Sequence, residues 1–209
     1  MDEEKKKFWM SIIFSTGFLL VLWIIKILEF TFNIHFANWG VFPRESFGLI
    51  GILTFPLVHA DFNHLISNSL PLLFLITGLC YFYPKSSKMV FSIIYFGTGI
   101  FVWLFARPSF HIGASGLIYG IASFLFFSGV IRRDTRSITL ALLVTFLYGG
   151  LIWGILPLEN HVSWEGHLFG ALMGIVSAFV FRKSDPYKKY DWEDEPNDDP
   201  DKKPEISYD

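Results

Sequence analysis

The 209-residue sequence is 52% hydrophobic and only 17% charged, and the acidic excess behind its net charge of −2 sits after Ser184. A water-soluble core cannot hide so many uncharged apolar runs, so the solvent is a bilayer, and the basic footprint of a nucleic-acid binder is missing. The single cysteine, Cys80, excludes an intramolecular disulfide and any CxxC motif, and reads as small apolar filler near a helix end.

A spanning helix needs about 20 mostly apolar residues. The first such run covers residues 8–32, broken only by Lys26 and Glu29, which stand three apart and can face each other or reach the interface. Lys5, Lys6 and Lys7 precede it as they would a signal peptide. The run is too long for that and no small-x-small cleavage site follows, so it reads as a retained first helix. A long connection, 33–60, comes next. Its apolar stretch 47–58 is too short to span and suits the membrane interface.

The second helix is expected over 62–83, stopped by Pro84 and with Pro71 inside it; the third covers 88–105. The fourth starts at Ser115 and ends at the 132–136 arginine cluster, the fifth spans 137–156, and the sixth 164–181. The third, fourth and sixth are near the short limit, which hints that some of their ends lie in protein. Residues 185–209, rich in Asp, Glu, Pro and Lys, predict a disordered cytosolic tail after a membrane domain over 1–184. Near the helix ends, lysines and arginines divide twelve to two between the two sides, with only Arg44 and Arg107 on the sparse side, so both termini are expected in the cytosol. The expected fold is all-α and polytopic, with six transmembrane helices.

Polar groups at membrane depth are functional candidates by default. Three sets stand toward the outer helix ends. His64 and Asn68, four apart, share one face of the second helix; an interhelical hydrogen-bond pair is the structural alternative. Ser115, in Gly113-Ala114-Ser115-Gly116, opens the fourth helix among small residues that let a substrate backbone approach, with Tyr119 on its face; a plain helix cap is the alternative. His167 lies in a glycine row, Gly166, Gly170 and Gly174, continued by Ala178; alone it reads equally as a satisfied core histidine. Gly116, Gly120 and Ser123 offer the fourth helix a matching row. If the rows pack together, His167 faces Ser115.

A serine and a histidine at one depth are the minimum for acyl transfer, the imidazole taking the hydroxyl proton and returning it to the leaving amine. His64, Asn68 and the Ser115 N–H are the available donors for the developing oxyanion. The only carboxylate near His167, Glu165, is expected at the outer surface, so a dyad is predicted rather than a triad.

In this layout His64-x-x-x-Asn68, Gly113-x-Ser115-Gly116 and His167-x-x-Gly170-x-x-x-Gly174 resemble the rhomboid intramembrane proteases, over about residues 8–182. The resemblance implies serine-type cleavage of single-spanning membrane proteins near the outer face, in contact with lipid and without a metal, ATP or other cofactor. It implies that Tyr119 supports the His167 ring, that the 33–60 loop is half-submerged, and that substrates arrive laterally near the second and fifth helices. His59, five before His64, fits the family's polar approach to that helix. A minimal form, with no soluble domain before the first helix, is expected, and with it a bacterial inner membrane. Where many bacterial members carry a Trp-Arg pair in the outer loop, this chain has Ile50 and Gly51. Three other classes fit the sequence less well. An inactive binder of transmembrane segments would typically lack Ser115 or His167. A metal site built from His59, His64, His111, His161 and His167 lacks HExxH pairing. A transporter or channel would show repeats or charged lining residues.

Overall fold

The computed structural model describes residues 2–158 and 162–187. Seven α-helices follow in chain order: α1 (Glu3–Thr31), the short α2 (Gly51–Thr54), α3 (Phe62–Phe82), α4 (Ser87–Phe105), α5 (Ser115–Arg132), α6 (Thr135–Tyr148) and α7 (Trp164–Val180). Five segments are long and apolar enough to cross a membrane: α1, α3, α4, α5, and α6 taken with the 3₁₀ turns after it. The sixth expected span, α7, has 17 residues and is shorter.

Helix boundaries follow local chemistry. The Asp61 carboxylate accepts the His64 N–H at 2.8 Å and caps α3, which stops one residue before the Tyr83–Pro84 pair. Asp134 caps α6 through the Ser137 N–H, and Ser163 caps α7 through the Gly166 N–H. Arg133, with φ 59°, takes the left-handed turn that closes α5. The fifth predicted helix needs correction. The α-helix ends at Tyr148, and Gly149–Ile155 continues as tighter 3₁₀ turns where the Gly149-Gly150 pair weakens α-helical preference.

At the centre stands α5, whose Leu117, Ile121 and Phe124 are buried against Leu72, Ile76 and Leu79 of α3 and Val90 and Ile94 of α4. The outward faces remain apolar, as at Phe30 and Phe146, which in a bilayer costs nothing because lipid solvates them. Polar contacts tie the ends. Lys26 and Glu29 face each other at 2.8 Å, both buried. Lys26 Nζ also donates to the carbonyls of His59 and Ala60 at 3.0 Å, and Glu29 accepts the Phe36 N–H. This stitches the end of α1 to the approach to α3.

The outer connection is held without a Trp-Arg pair. Its apolar stretch forms short helical turns with Phe47, Leu49, Ile50 and Leu53 facing outward. Val41 pairs with His111 through both backbone bonds, and Trp103 Nε1 donates to the Glu45 carbonyl. Gly51 lies so close to the Gly40–Val41 backbone that even a Cβ would overlap it, which explains why no arginine stands there. At the opposite end Asp185 is buried. Its carboxylate accepts the N–H groups of Lys85 and Ser86, and its carbonyl takes Arg132 and Arg136. The folded body therefore includes Asp185 from the expected tail, of which 185–187 are described and 188–209 lie outside the described residues.

Candidate active site

The glycine rows do interleave. A Cβ on Gly170 would overlap the Gly116 backbone, and one on Gly174 the Gly120 carbonyl and, at 3.0 Å, the Phe124 N. With no side chains between them the α5 and α7 backbones approach closely, which brings the outer ends of the two helices together.

There Ser115 Oγ lies 2.8 Å from His167 Nε2. The other ring nitrogen, Nδ1, is 2.8 Å from the Gly154 carbonyl. A carbonyl only accepts, so Nδ1 carries the proton and Nε2 is left as the acceptor for the Ser115 hydroxyl. The Tyr119 ring stacks on the imidazole with centroids 4.1 Å apart and planes within 5°. Position, tautomer and ring plane of His167 are thus each fixed by a separate contact.

Ser115 is the first residue of α5, and its backbone N–H has no acceptor among the described residues. The turn before it is tightly held. Gly113 has φ +107°, a conformation that favours glycine, and its N–H donates to the Phe55 carbonyl at 2.9 Å. A side chain there would also strike the His64 ring, 2.7 Å from the ideal Cβ. The Ala114 N–H donates to His59 Nε2 at 3.4 Å. Burial, with the nearby His64 ring adding, pushes the His59 pKa down to about 3, so this imidazole stays neutral and keeps a lone pair for that bond.

His64 and Asn68 stand one turn apart on α3. His64 meets Gly113 and packs edge-on to His59, ring centroids 5.0 Å apart. Asn68 is buried, and its Nδ2 has no hydrogen-bond partner among the described residues. Neither makes a hydrogen bond to Ser115 or His167. Glu165 corrects an expectation: it is buried at the start of α7, where it accepts the Arg107 N–H at 3.4 Å and lies 3.5 Å from its guanidinium. Pairing with Arg107 is what permits a carboxylate there, and it makes no hydrogen bond to His167.

Sequence reasoning missed Gly154. A side chain at this position would collide with the Tyr119 hydroxyl and come within 3.2 Å of His167 Nδ1. The only signal was a glycine near the end of an apolar run. Among the described residues no group of three His, Cys, Asp or Glu side chains is arranged to hold a metal ion, and His161 lies outside them.

The family model for the Rhomboid domain matches residues 46–184. Uncharacterized proteins of Mycobacterium tuberculosis and Mycobacterium bovis are 34% identical over 174 residues, covering 78% of this chain and 72% of theirs. The Bacillus subtilis protein named "Putative rhomboid protease YdcA" is 26% identical over 153 residues, 68% of this chain and 71% of its own. With several helices suited to a bilayer and this match over most of its length, the chain is an integral multi-pass membrane protein that belongs to the rhomboid family.

Proposed function

We propose that this chain is an intramembrane serine endopeptidase that cuts transmembrane segments of single-spanning proteins near the outer membrane face. The observation that carries this reading is the 2.8 Å contact from Ser115 Oγ to His167 Nε2, with the opposite ring nitrogen committed to the Gly154 carbonyl. His167 takes the hydroxyl proton as Oγ attacks the scissile carbonyl carbon. The tetrahedral intermediate collapses to an acyl-enzyme, and the proton goes to the leaving amine. Water, deprotonated by the same nitrogen, then releases the acyl product and restores Ser115.

The oxyanion is received by the Ser115 N–H, His64 and Asn68. An N–H without acceptor at the start of α5 and a buried, unpartnered Asn68 Nδ2 support this, each donor contributing about 3 kcal/mol by precedent. Gly154 serves as orienter, which makes a carboxylate third member unnecessary. Six helices cross a bacterial cell membrane with cytosolic termini, as the one-sided basic residues favour. Substrates arrive laterally near α3 and α6, whose outward faces are apolar, as at Ile66, Leu70 and Leu147.

Cleavage of a model transmembrane substrate by the purified protein in detergent tests this, with wild type, Ser115→Ala and His167→Ala compared with and without EDTA. Only wild type should cut, the variants losing roughly 10³-fold or more, and EDTA should change nothing. Residual cutting by Ser115→Ala would refute the mechanism. Retention of transmembrane peptides without any cutting would leave an inactive binder instead.

A further inference from the structure

Four residues before Ser115 stands His111, and four residues before His167 stands Ser163. These two also meet: His111 Nδ1 lies 2.7 Å from Ser163 Oγ. The chain therefore carries two Ser–His contacts in register, one turn apart, with the residue types exchanged between the elements. The outer pair has no part in the chemistry set out above.

Its hydrogen-bond directions are determined. His111 Nε2 is 3.1 Å from the Arg107 carbonyl, which can only accept, so Nε2 carries the proton and Nδ1 is an acceptor. Ser163 must then donate its hydroxyl to His111, while its oxygen accepts the Gly166 N–H at 3.3 Å. The relay runs from Gly166, beside His167, through Ser163 and His111 to the Arg107 carbonyl. His111 is 2% exposed and its backbone is paired with Val41 in both directions. Between His111 and Ser115 the chain has no slack, because Gly113 and Ala114 are held by Phe55 and His59. On the other side, Ser163 caps the helix that carries His167. A shift of Ser163 against His111 is passed to the spacing of Ser115 and His167.

We infer that His111 and Ser163 are positioning residues that set the Ser115–His167 distance by pinning the nucleophile turn to the first turn of α7. This rests on the Ser115–His167 reading. The charged neighbours Arg107 and Glu165 clamp the same corner, since the Arg107 guanidinium reaches both Glu165 and the Val162 carbonyl. A plain cap and a satisfied core histidine would affect folding alone; a positioning pair affects turnover.

The test uses the full chain in detergent and measures kcat and KM on a transmembrane substrate, the rate of Ser115 labelling by a fluorophosphonate, and the melting temperature. Ser163→Ala and His111→Gln should each lower kcat by about ten-fold, as displacement of reacting groups does, with KM little changed and labelling slowed by the same factor. The double variant should be no slower than either single one, because each breaks the same link. Ser163→Thr, which keeps the hydroxyl, should restore turnover, and it decides the matter if the alanine variant does not fold. Wild-type kcat in both single variants, a change confined to KM, multiplicative losses in the double variant, or failure of threonine to rescue would each overturn the inference. If wild type is labelled no more than Ser115→Ala, the reading beneath it fails and the pair falls with it; normal wild-type labelling beside unaffected variants sinks the pair alone.

Discussion

α5 and α6 are consecutive, joined by a two-residue turn, and similar in apolar character, yet the protein treats them oppositely. In the most apolar 18-residue stretch of α5, 61% of residues are buried; in α6 with its 3₁₀ extension the share is 17%. Small residues on α5 bring the α7 backbone into contact with its own, whereas α6 turns Leu142 and Phe146 outward and borders an apolar cavity. Chemistry that depends on a 2.8 Å contact needs helices that cannot slide. A substrate arriving from lipid, as proposed above, needs a wall that can give. Hydropathy alone does not separate these two roles, because both helices are apolar; residue size does.

The largest effect is expected where the packing is tightest. Gly170→Ala places a methyl into the Gly116 backbone, and backbone cannot rotate out of the way as a side chain can. Overpacking of this kind costs about 3 kcal/mol or more, enough to lower the melting temperature sharply and to part Ser115 from His167. Thermal unfolding in detergent, read beside cleavage, would show both losses. A variant with wild-type stability would mean that α5 and α7 are not locked.

A middle-sized effect is expected at Gly154, which belongs to the sparsely buried segment but contacts a side chain of the tightly packed one. Gly154→Ala pushes on the Tyr119 hydroxyl and on His167 Nδ1, so the carbonyl that fixes the tautomer must move. Turnover should fall by roughly 10- to 100-fold, the scale of a misplaced catalytic group, while stability changes little because the 3₁₀ segment buries little. Equal kcat in wild type and variant would remove Gly154 from the site.

Much of this was legible beforehand. Six helical segments followed from apolar run length, and all of their ends but the start of α1 and the end of α6 fell within two residues, because Pro84, the Asp61 and Asp134 caps and the charged connectors punctuate the chain. Gly116, Gly170 and Gly174 announced the α5–α7 contact by their spacing, and with it the meeting of Ser115 and His167. What stayed hidden depends on backbone atoms or on long-range pairing. Gly154 acts through its carbonyl, which every residue has. Glu165 is buried because Arg107, 58 residues away, covers it, and no local pattern reports that. The α-to-3₁₀ change at Tyr148 leaves the apolar run unbroken, so only Gly149 and Gly150 hinted at it.

The smallest effect is expected on the outward face of α6, and it tests the other half of the contrast. Phe146 is 86% exposed and projects away from the rest of the protein. Phe146→Ala should change stability by no more than about 0.5 kcal/mol, as surface substitutions do, where the same truncation in a packed core costs about 3 to 5 kcal/mol. Thermal unfolding of Phe146→Ala beside Phe124→Ala, its buried counterpart on α5, makes the comparison within one protein. A thinner α6 removes no contact that holds Ser115 and His167, so cleavage of a transmembrane substrate should be as fast as wild type or faster. A large destabilisation at Phe146 would mean that α6 is packed against something in the membrane, a second copy or a bound lipid, and the yielding wall would have to be sought elsewhere.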